Sequence, residues 1–284
     1  MVNSNSRFPL RKIHQALVSL VGQDWVLHTR EELIVYECDG LTLNTRLPDF
    51  VVFPSSTLEV LQIVKLALVY RIPFLARGAG TSLSGGAIAA EGGIILEFSR
   101  MNHILNIDVQ NRLAKVQSGV VNLHITEAAQ AHNLYYAPDP SSQVASTIGG
   151  NVAENAGGPH TLKYGVTTNH VLALQVVLPD GEDYQLGTTA GDTVGYDLVG
   201  TFVGSEGTLG IATEVTVRLL YSPPAVKTLL AVYDSVEEAT QTVSSIIRRG
   251  IVPAALELID KNTIQAIEAG IYATGIPQNA AAVL

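Results

Sequence analysis

Residues 77–87 read Arg-Gly-Ala-Gly-Thr-Ser-Leu-Ser-Gly-Gly-Ala. With no Cβ to block approach, the glycines leave successive backbone N–H groups uncovered, and a concave run of such groups binds anionic oxygens. Thr81, Ser82 and Ser84 add hydroxyl donors, and Arg77 adds the one positive charge. The chemistry on offer is the cradling of a phosphate or pyrophosphate. Taken alone, the stretch reads equally well as a glycine-rich surface turn. It does not follow the dinucleotide fingerprint of a Rossmann unit, because Gly78-Ala79-Gly80 is followed by Thr81-Ser82-Leu83 and the third glycine is missing. A P-loop is excluded, since no Gly-Lys-Ser/Thr occurs.

Two more clusters change the weight of the first. Residues 137–158 contain Gly149-Gly150 and Gly157-Gly158, which permit close backbone approach, and Asn151 and Asn155, whose side chains could donate hydrogen bonds. Residues 203–219 present Gly204, Gly207 and Gly210 ahead of a strand-like run. Three such loops in one chain suggest a long ligand lined by backbone.

The elements that must hold these loops are legible in the hydrophobic pattern. Apolar residues at helical spacing predict a helix over 8–21, with Pro9 near its start. A short buried strand is expected within 48–54, then an amphipathic helix over 55–70, capped by Ser55 or Ser56 with Glu59 in its first turn. A strand at 73–76 feeds directly into the glycine-rich stretch. Further strands are expected at 92–98 and in a hairpin over 104–120 turned at Gln110-Asn111. A helix follows at 122–132. Residues 135–160 read as irregular, and an Asp-Gly turn within 171–186 marks a second hairpin. Past Ser222-Pro223-Pro224 the texture becomes βαβα: strands at 225–233 and 252–259, helices at 235–250 and 260–270, with Gly250 as a helix stop. The apolar residues at 279–284 read as a strand entering a sheet, so the pattern stops mid-module.

Composition bounds the rest. The chain has 284 residues, 47% of them hydrophobic, which suffices for a real core. Its 26 acidic and 17 basic residues give a net charge of −9, which argues against a nucleic-acid surface. Cys38 is the only cysteine, so neither an internal disulfide nor a cysteine metal cluster can form. No signal-peptide pattern and no spanning apolar run is present, and the expectation is a cytoplasmic protein, with peripheral membrane attachment left open.

The order and wording of the clusters resemble the FAD-linked oxidases of the vanillyl-alcohol oxidase/p-cresol methylhydroxylase type. The resemblance is carried by 51–60, 73–87, 138–158, 162–167 and 204–219, and covers roughly residues 30–284. The wording is nearest to the D-lactate/2-hydroxy-acid dehydrogenase branch, with the FAD-linked subunit of glycolate oxidases. This implies an α+β fold: a two-subdomain FAD-binding domain over 1–221, split near 110, followed by an incomplete α/β cap over 222–284. It implies FAD held by Pro54, by Arg77, Gly78, Ala79, Gly80, Thr81 and Ser82 around the pyrophosphate, by Pro138, Asp139, Ser142, Thr147, Gly149, Gly150, Asn151, Asn155 and Gly157, and by Glu206, Gly210 and Ile211 on the other side. Some relatives bond the flavin covalently through a histidine in the pyrophosphate loop. Thr81 stands at the corresponding position, so non-covalent FAD is expected.

The implied reaction is oxidation of a small 2-hydroxy acid such as glycolate or D-lactate to the 2-oxo acid, with hydride transfer to the flavin and electrons passing to partner subunits. The chain is thin in groups for that chemistry. No His/Glu cluster with metal-ligand spacing occurs, and the family resemblance implies that the catalytic base and substrate-carboxylate anchor lie beyond residue 284. His160 is a weak catalytic candidate beside the second cluster. Lys163, His103, His124, His132 and His170 read as structural or exposed, Asp39 as a turn cap, and Arg100 as the partner of a carboxylate at a strand end. The alternative reading is an FAD-binding fragment that turns nothing over.

Overall fold

A computed structural model of the chain describes residues 8–189, 195–271 and 273–284. It divides into two compact units, 1–156 with 166–222, and 157–165 with 223–284.

The first unit opens with helix α1 (Leu10–Val21), whose buried Leu10, Ile13, Leu17 and Val21 form one apolar stripe. Strand β1 (Val26–Leu27), the short helix α2 (Arg30–Leu33) and strand β2 (Phe50–Val52) follow. Helix α3 (Thr57–Tyr70) starts where the Ser56 hydroxyl accepts the Glu59 N–H and stops at Arg71 in a left-handed conformation. Strands β3 (Phe74–Arg77) and β4 (Ile94–Glu97) complete a four-stranded sheet ordered β1-β2-β4-β3. Parallel strands β2 and β4 are buried on both faces, which is why they read as continuous apolar runs. Phe50, Val52, Ile94 and Leu96 pack toward α1 and α3, while Val51 and Ile95 pack toward Leu33 and Ala89.

The chain then enters a second sheet: β5 (Ile104–Asp108), β6 (Leu113–Gln117), helix α4 (Asn122–Ala129), β7 (Leu134–Tyr135), helix α5 (Ile148–Glu154), β8 (Val171–Val177), β9 (Asp183–Gly187), helix α7 (Leu198–Phe202), β10 (Ile211–Arg218) and β11 (Leu220–Tyr221); helix α6 (Thr161–Tyr164) belongs to the second unit. The five-stranded sheet is antiparallel throughout, ordered β5-β6-β10-β8-β9, with α4, α5 and α7 packed on its core. Val177 and Ile211 join the core of the first sheet, and the Thr57 hydroxyl donates to Thr213 at 2.9 Å, so the two subdomains share one interior. The architecture is the expected α+β pair of subdomains. The change of sheet falls between Glu97 and Ile104, whereas the split expected near 110 lies inside the β5–β6 hairpin.

Residues 135–160, read as irregular, contain α5. Its signal was diluted by two glycines in the first turn; its start is fixed by the Thr147 hydroxyl accepting the Gly150 N–H, and its end by Asn155 at φ +50°.

In the second unit, β12 (Val232–Tyr233), helix α8 (Val236–Arg248), β13 (Ile259–Asp260), helix α9 (Lys261–Glu268) and β14 (Ala282–Val283) form a small α/β module. β14 is the buried centre of the sheet, with Val283 opposite both Val232 and Ile259, so the closing apolar residues do enter a sheet. The strands expected over 225–233 and 252–259 contract to their last residues. Val226, Leu229, Ile251 and Val252, which precede them, have no ladder partner and are more than half exposed.

Candidate functional site

The loop leaving β3, the turn before α5 and the approach to β10 converge on one cavity of about 480 Å³ in the first unit. Its lining holds Arg77, Gly78, Ala79, Gly80, Thr81 and Ser82 from the first cluster, Ser142, Thr147, Gly149, Gly150 and Asn151 from the second, and Glu206, Gly210 and Ile211 from the third. Three segments far apart in sequence thus present backbone to a single space. Pro54, Pro138, Asp139 and Asn155 do not line it, and Gly157 and His160 belong to the second unit, where His160 precedes α6 with its ring 6.3 Å from that of Tyr164.

The glycines are there because the segments touch. A Cβ at Gly78 would run into the Thr147 hydroxyl, and one at Gly149 would lie 2.7 Å from the Ser118 Cβ. Gly80, at φ +68°, rests against the Arg77 guanidinium, where any side chain would collide. These positions hold the β3 loop, the end of β6 and the start of α5 together as bare backbone walls.

The cavity's longest consecutive run of open donors is in the first loop. Among the described residues, no protein acceptor takes the backbone N–H of any of residues 78–83. At the start of α5 the opposite holds: the N–H groups of Ile148, Gly149 and Gly150 go to Val120 O, Ser118 O and the Thr147 hydroxyl. The 78–83 amides thus line the cavity without a protein acceptor, as a nest for anionic oxygens requires.

Several side chains expected to donate are spent inside the protein. Arg77 is buried, and its Nη1 donates to Cys38 O at 2.8 Å and Ala87 O at 3.0 Å. Burial pulls the Arg77 guanidinium below its ordinary value, opposed by Cys38, Tyr36, Glu97 and Asp39. Asn151 Nδ2 donates to Ser146 Oγ, and its Oδ1 accepts from Asn122. Asn155 Oδ1 accepts the Thr168 N–H. Ser82 Oγ donates to Glu154 Oε1 at 2.9 Å. Glu154 also lines the cavity, and sequence reasoning missed it because α5 was not foreseen.

Asp39, read as a turn cap, accepts the Leu41 N–H at 3.0 Å and also the distant Gly85 N–H at 2.8 Å. Arg100 lies 4.0 Å from Glu59, donates to Phe53 O and stacks over Trp25. His170 is buried, while His103, His124 and His132 are exposed. Among the described residues no group of three or more His, Cys, Asp or Glu side chains could hold a metal ion, and no helix is long and apolar enough to cross a membrane.

A cavity of about 480 Å³ walled by glycine-rich backbone, with a run of six unengaged amides, suits a nucleotide cofactor that carries phosphates. The sequence places the chain in the same class. Residues 48–187 match an FAD binding domain, and residues 222–284 match the C-terminal domain of FAD linked oxidases. The chain belongs to the FAD-linked oxidases. It is 51% identical over 259 residues to the glycolate oxidase subunit GlcD of Escherichia coli K12, covering 91% of this chain and 52% of that protein. It is 44% identical to the glycolate oxidase subunit GlcD of Bacillus subtilis (96% and 58% covered) and 39% identical to a D-lactate dehydrogenase of Anaerostipes hadrus (84% and 49%). The chain spans about half the length of these curated relatives. Among solved structures the fold is shared with an alkyldihydroxyacetonephosphate synthase (TM-score 0.85, 21% identity, 100% of this chain and 57% of that one) and with p-cresol methylhydroxylase (TM-score 0.72, 23% identity, 83% and 48%).

Proposed function

We propose that this chain is the flavin-binding part of an FAD-dependent dehydrogenase that oxidises a small 2-hydroxy acid, glycolate or D-lactate, to the 2-oxo acid. One observation carries the reading: three glycine-rich segments meet at a cavity lined by six consecutive amides, those of residues 78–83, that no protein acceptor takes. The names of the relatives, glycolate oxidase subunit and D-lactate dehydrogenase, supply the substrate class. Residues 1–221 act as the cofactor domain and 222–284 as the opening of a C-terminal cap. The loop amides hold the pyrophosphate, Thr147, Gly149 and Gly150 form the facing wall, and Gly210 and Ile211 close the other side.

Bound flavin supplies the hydride acceptor. The chain's own residues bind, orient and enclose it; the described lining holds no histidine, and its only carboxylates are Glu154 and Glu206. Electrons then pass to a partner subunit, as the word subunit in the names of two relatives suggests.

The test is a visible absorbance spectrum of the purified chain reconstituted with FAD, before and after anaerobic addition of glycolate and of D-lactate. Bleaching by either acid establishes the dehydrogenase and ranks its substrates. A flavin spectrum that neither acid bleaches assigns this chain to cofactor binding without turnover. No bound flavin at all overturns the reading.

A further inference from the structure

We propose that the turn at residues 38–40 is a positioning element for the dinucleotide: it holds the 77–87 loop with its amides facing the cavity before the ligand arrives, and Asp39 is the residue on which this depends. The inference rests on the reading of that loop as a pyrophosphate cradle.

The loop has little of its own to fix its shape. Residues 78–83 make no backbone N–H bond to protein, and Leu83 is 64% exposed. Within the loop, the Ser84 N–H reaches Ser82 Oγ at 3.3 Å, and only the Ile88 N–H closes back on Gly85 O. Six neighbouring N–H dipoles turned toward one space repel each other, so an unbraced loop would rotate some of them away. Binding would then have to reverse that rotation, at a cost in affinity.

The bracing comes from behind, from a segment some forty residues earlier (|i−j| of 39 to 46). The Gly40 N–H donates to Ser82 O at 2.9 Å. Asp39 Oδ2 accepts the Gly85 N–H at 2.8 Å, while its Oδ1 accepts the Leu41 N–H and so anchors the carboxylate in its own turn. Arg77 Nη1 bridges Cys38 O and Ala87 O, tying both ends of the loop to the same turn. Gly40 has no room for a side chain, because a Cβ would lie 3.0 Å from Thr81 O and 3.1 Å from Ser82 O. The turn therefore holds the loop by Ser82 O and by the Gly85 N–H, and leaves the amides of 78–83 for the ligand. None of residues 38–40 lines the cavity. Asp39, a buried carboxylate, thus acts through Gly85 and without touching the dinucleotide.

Asp39→Asn isolates this contact. One amide oxygen can serve Leu41 or Gly85, and the other amide then faces an NH2 group in place of an acceptor. The Kd for FAD and for ADP is measured by fluorescence quenching and calorimetry on wild type and variant, with the Tm of each protein alone and with saturating FAD. The expected result is a Kd for both nucleotides raised about tenfold, the scale of one lost hydrogen bond to a charged group. The Tm of the ligand-free variant stays within about 2 °C of wild type, and its FAD-induced rise shrinks. Gly40→Ala, which keeps both Asp39 bonds but pushes a methyl at the loop carbonyls, gives the same pattern and serves if Asp39→Asn does not fold. Unchanged Kd values beside a wild type that binds FAD overturn the clamp alone. A ligand-free Tm that falls by as much as the loaded one reduces Asp39 to a folding role. A wild type that binds no FAD removes both the function and the clamp.

Discussion

The Ser82 hydroxyl donates a 2.9 Å hydrogen bond to the Glu154 carboxylate, joining the amide loop to the end of α5 across 72 residues of sequence. This places a negative charge on the wall of a cavity assigned to an anionic ligand. Gly86 lies between Glu154 and a second carboxylate, Glu206: a Cβ built there would be 3.7 Å from Glu154 Oε1 and 3.9 Å from Glu206 Oε2. The amides must outweigh both charges for a pyrophosphate to bind. Glu154→Gln keeps an acceptor for Ser82 and removes one of the repulsions. The expected outcome is FAD binding at least as tight as wild type and up to about tenfold tighter at low salt, with the gain shrinking as ionic strength rises. Fluorescence titration at two salt concentrations checks it. Weakening of more than about threefold would instead mean that the carboxylate accepts a hydrogen bond from the ligand.

Two adjacent glycines should respond oppositely to the same substitution. Gly149→Ala drives a methyl against the Ser118 Cβ at 2.7 Å and threatens the 2.8 Å bond from the Gly149 N–H to Ser118 O. It should cost about 1–3 kcal/mol of stability in urea unfolding, the range for overpacking. At Gly150 the added methyl meets only the Thr147 hydroxyl, at an ordinary 3.5 Å. Gly150→Ala should raise stability by up to about 1 kcal/mol through helix propensity, while the methyl on the cavity wall weakens FAD binding. Equal destabilisation by both would contradict the packing at the start of α5.

The contrast shows how far the sequence could be read. The alternation of apolar and polar residues, the capping serine at 56 and the Asp-Gly hairpin located most elements of the first unit. The three glycine clusters pointed to one shared space because bare backbone leaves a compositional mark. The roles of Arg77, Ser82, Asn151 and Asn155 left no such mark. Each looks from sequence like a donor awaiting a ligand, and each is engaged by protein atoms supplied from 10 to 72 residues away, or, for Asn151, from 5 and 29. Asp39 illustrates the same limit in reverse: its local bond to Leu41 is the ordinary habit of an aspartate in a turn, while its bond to Gly85 depends on how β3 and the preceding turn are brought together. Helix α5 was hidden because its two glycines lower helix propensity, and the same two glycines are what let it form a cavity wall.

The flavin should be released intact by denaturation. A covalent link to the ring needs a nucleophilic side chain at the cavity, and among the described residues lining it there is no histidine, cysteine or tyrosine. Thr81, on the amide loop, offers only an unactivated hydroxyl. Precipitating the reconstituted protein with acid should leave all yellow colour in the supernatant, and the pellet should show no flavin fluorescence on a denaturing gel. Flavin retained by the denatured chain would require a linking residue from outside this cavity.

Acid should loosen the N-terminal part of the first unit through His14. Its ring sits 4.2 Å from that of His28 and 6.1 Å from that of Phe50, and its Nε2 is buried. Burial first, and the charge of His28 second, hold its pKa below the ordinary 6.5. Glu32, four residues after His28, is engaged by the His28 and Thr29 N–H groups and the Thr29 hydroxyl. For a histidine with a depressed folded value, the folded state binds fewer protons than the unfolded one. Its stabilising contribution is therefore complete above about pH 6.5 and is lost as pH falls below that through the lower folded value. The urea midpoint of wild type should drop between pH 7 and pH 5, and His14→Leu should flatten that drop while leaving the midpoint at pH 7 nearly unchanged. Parallel pH profiles for the two proteins would place the acid sensitivity elsewhere.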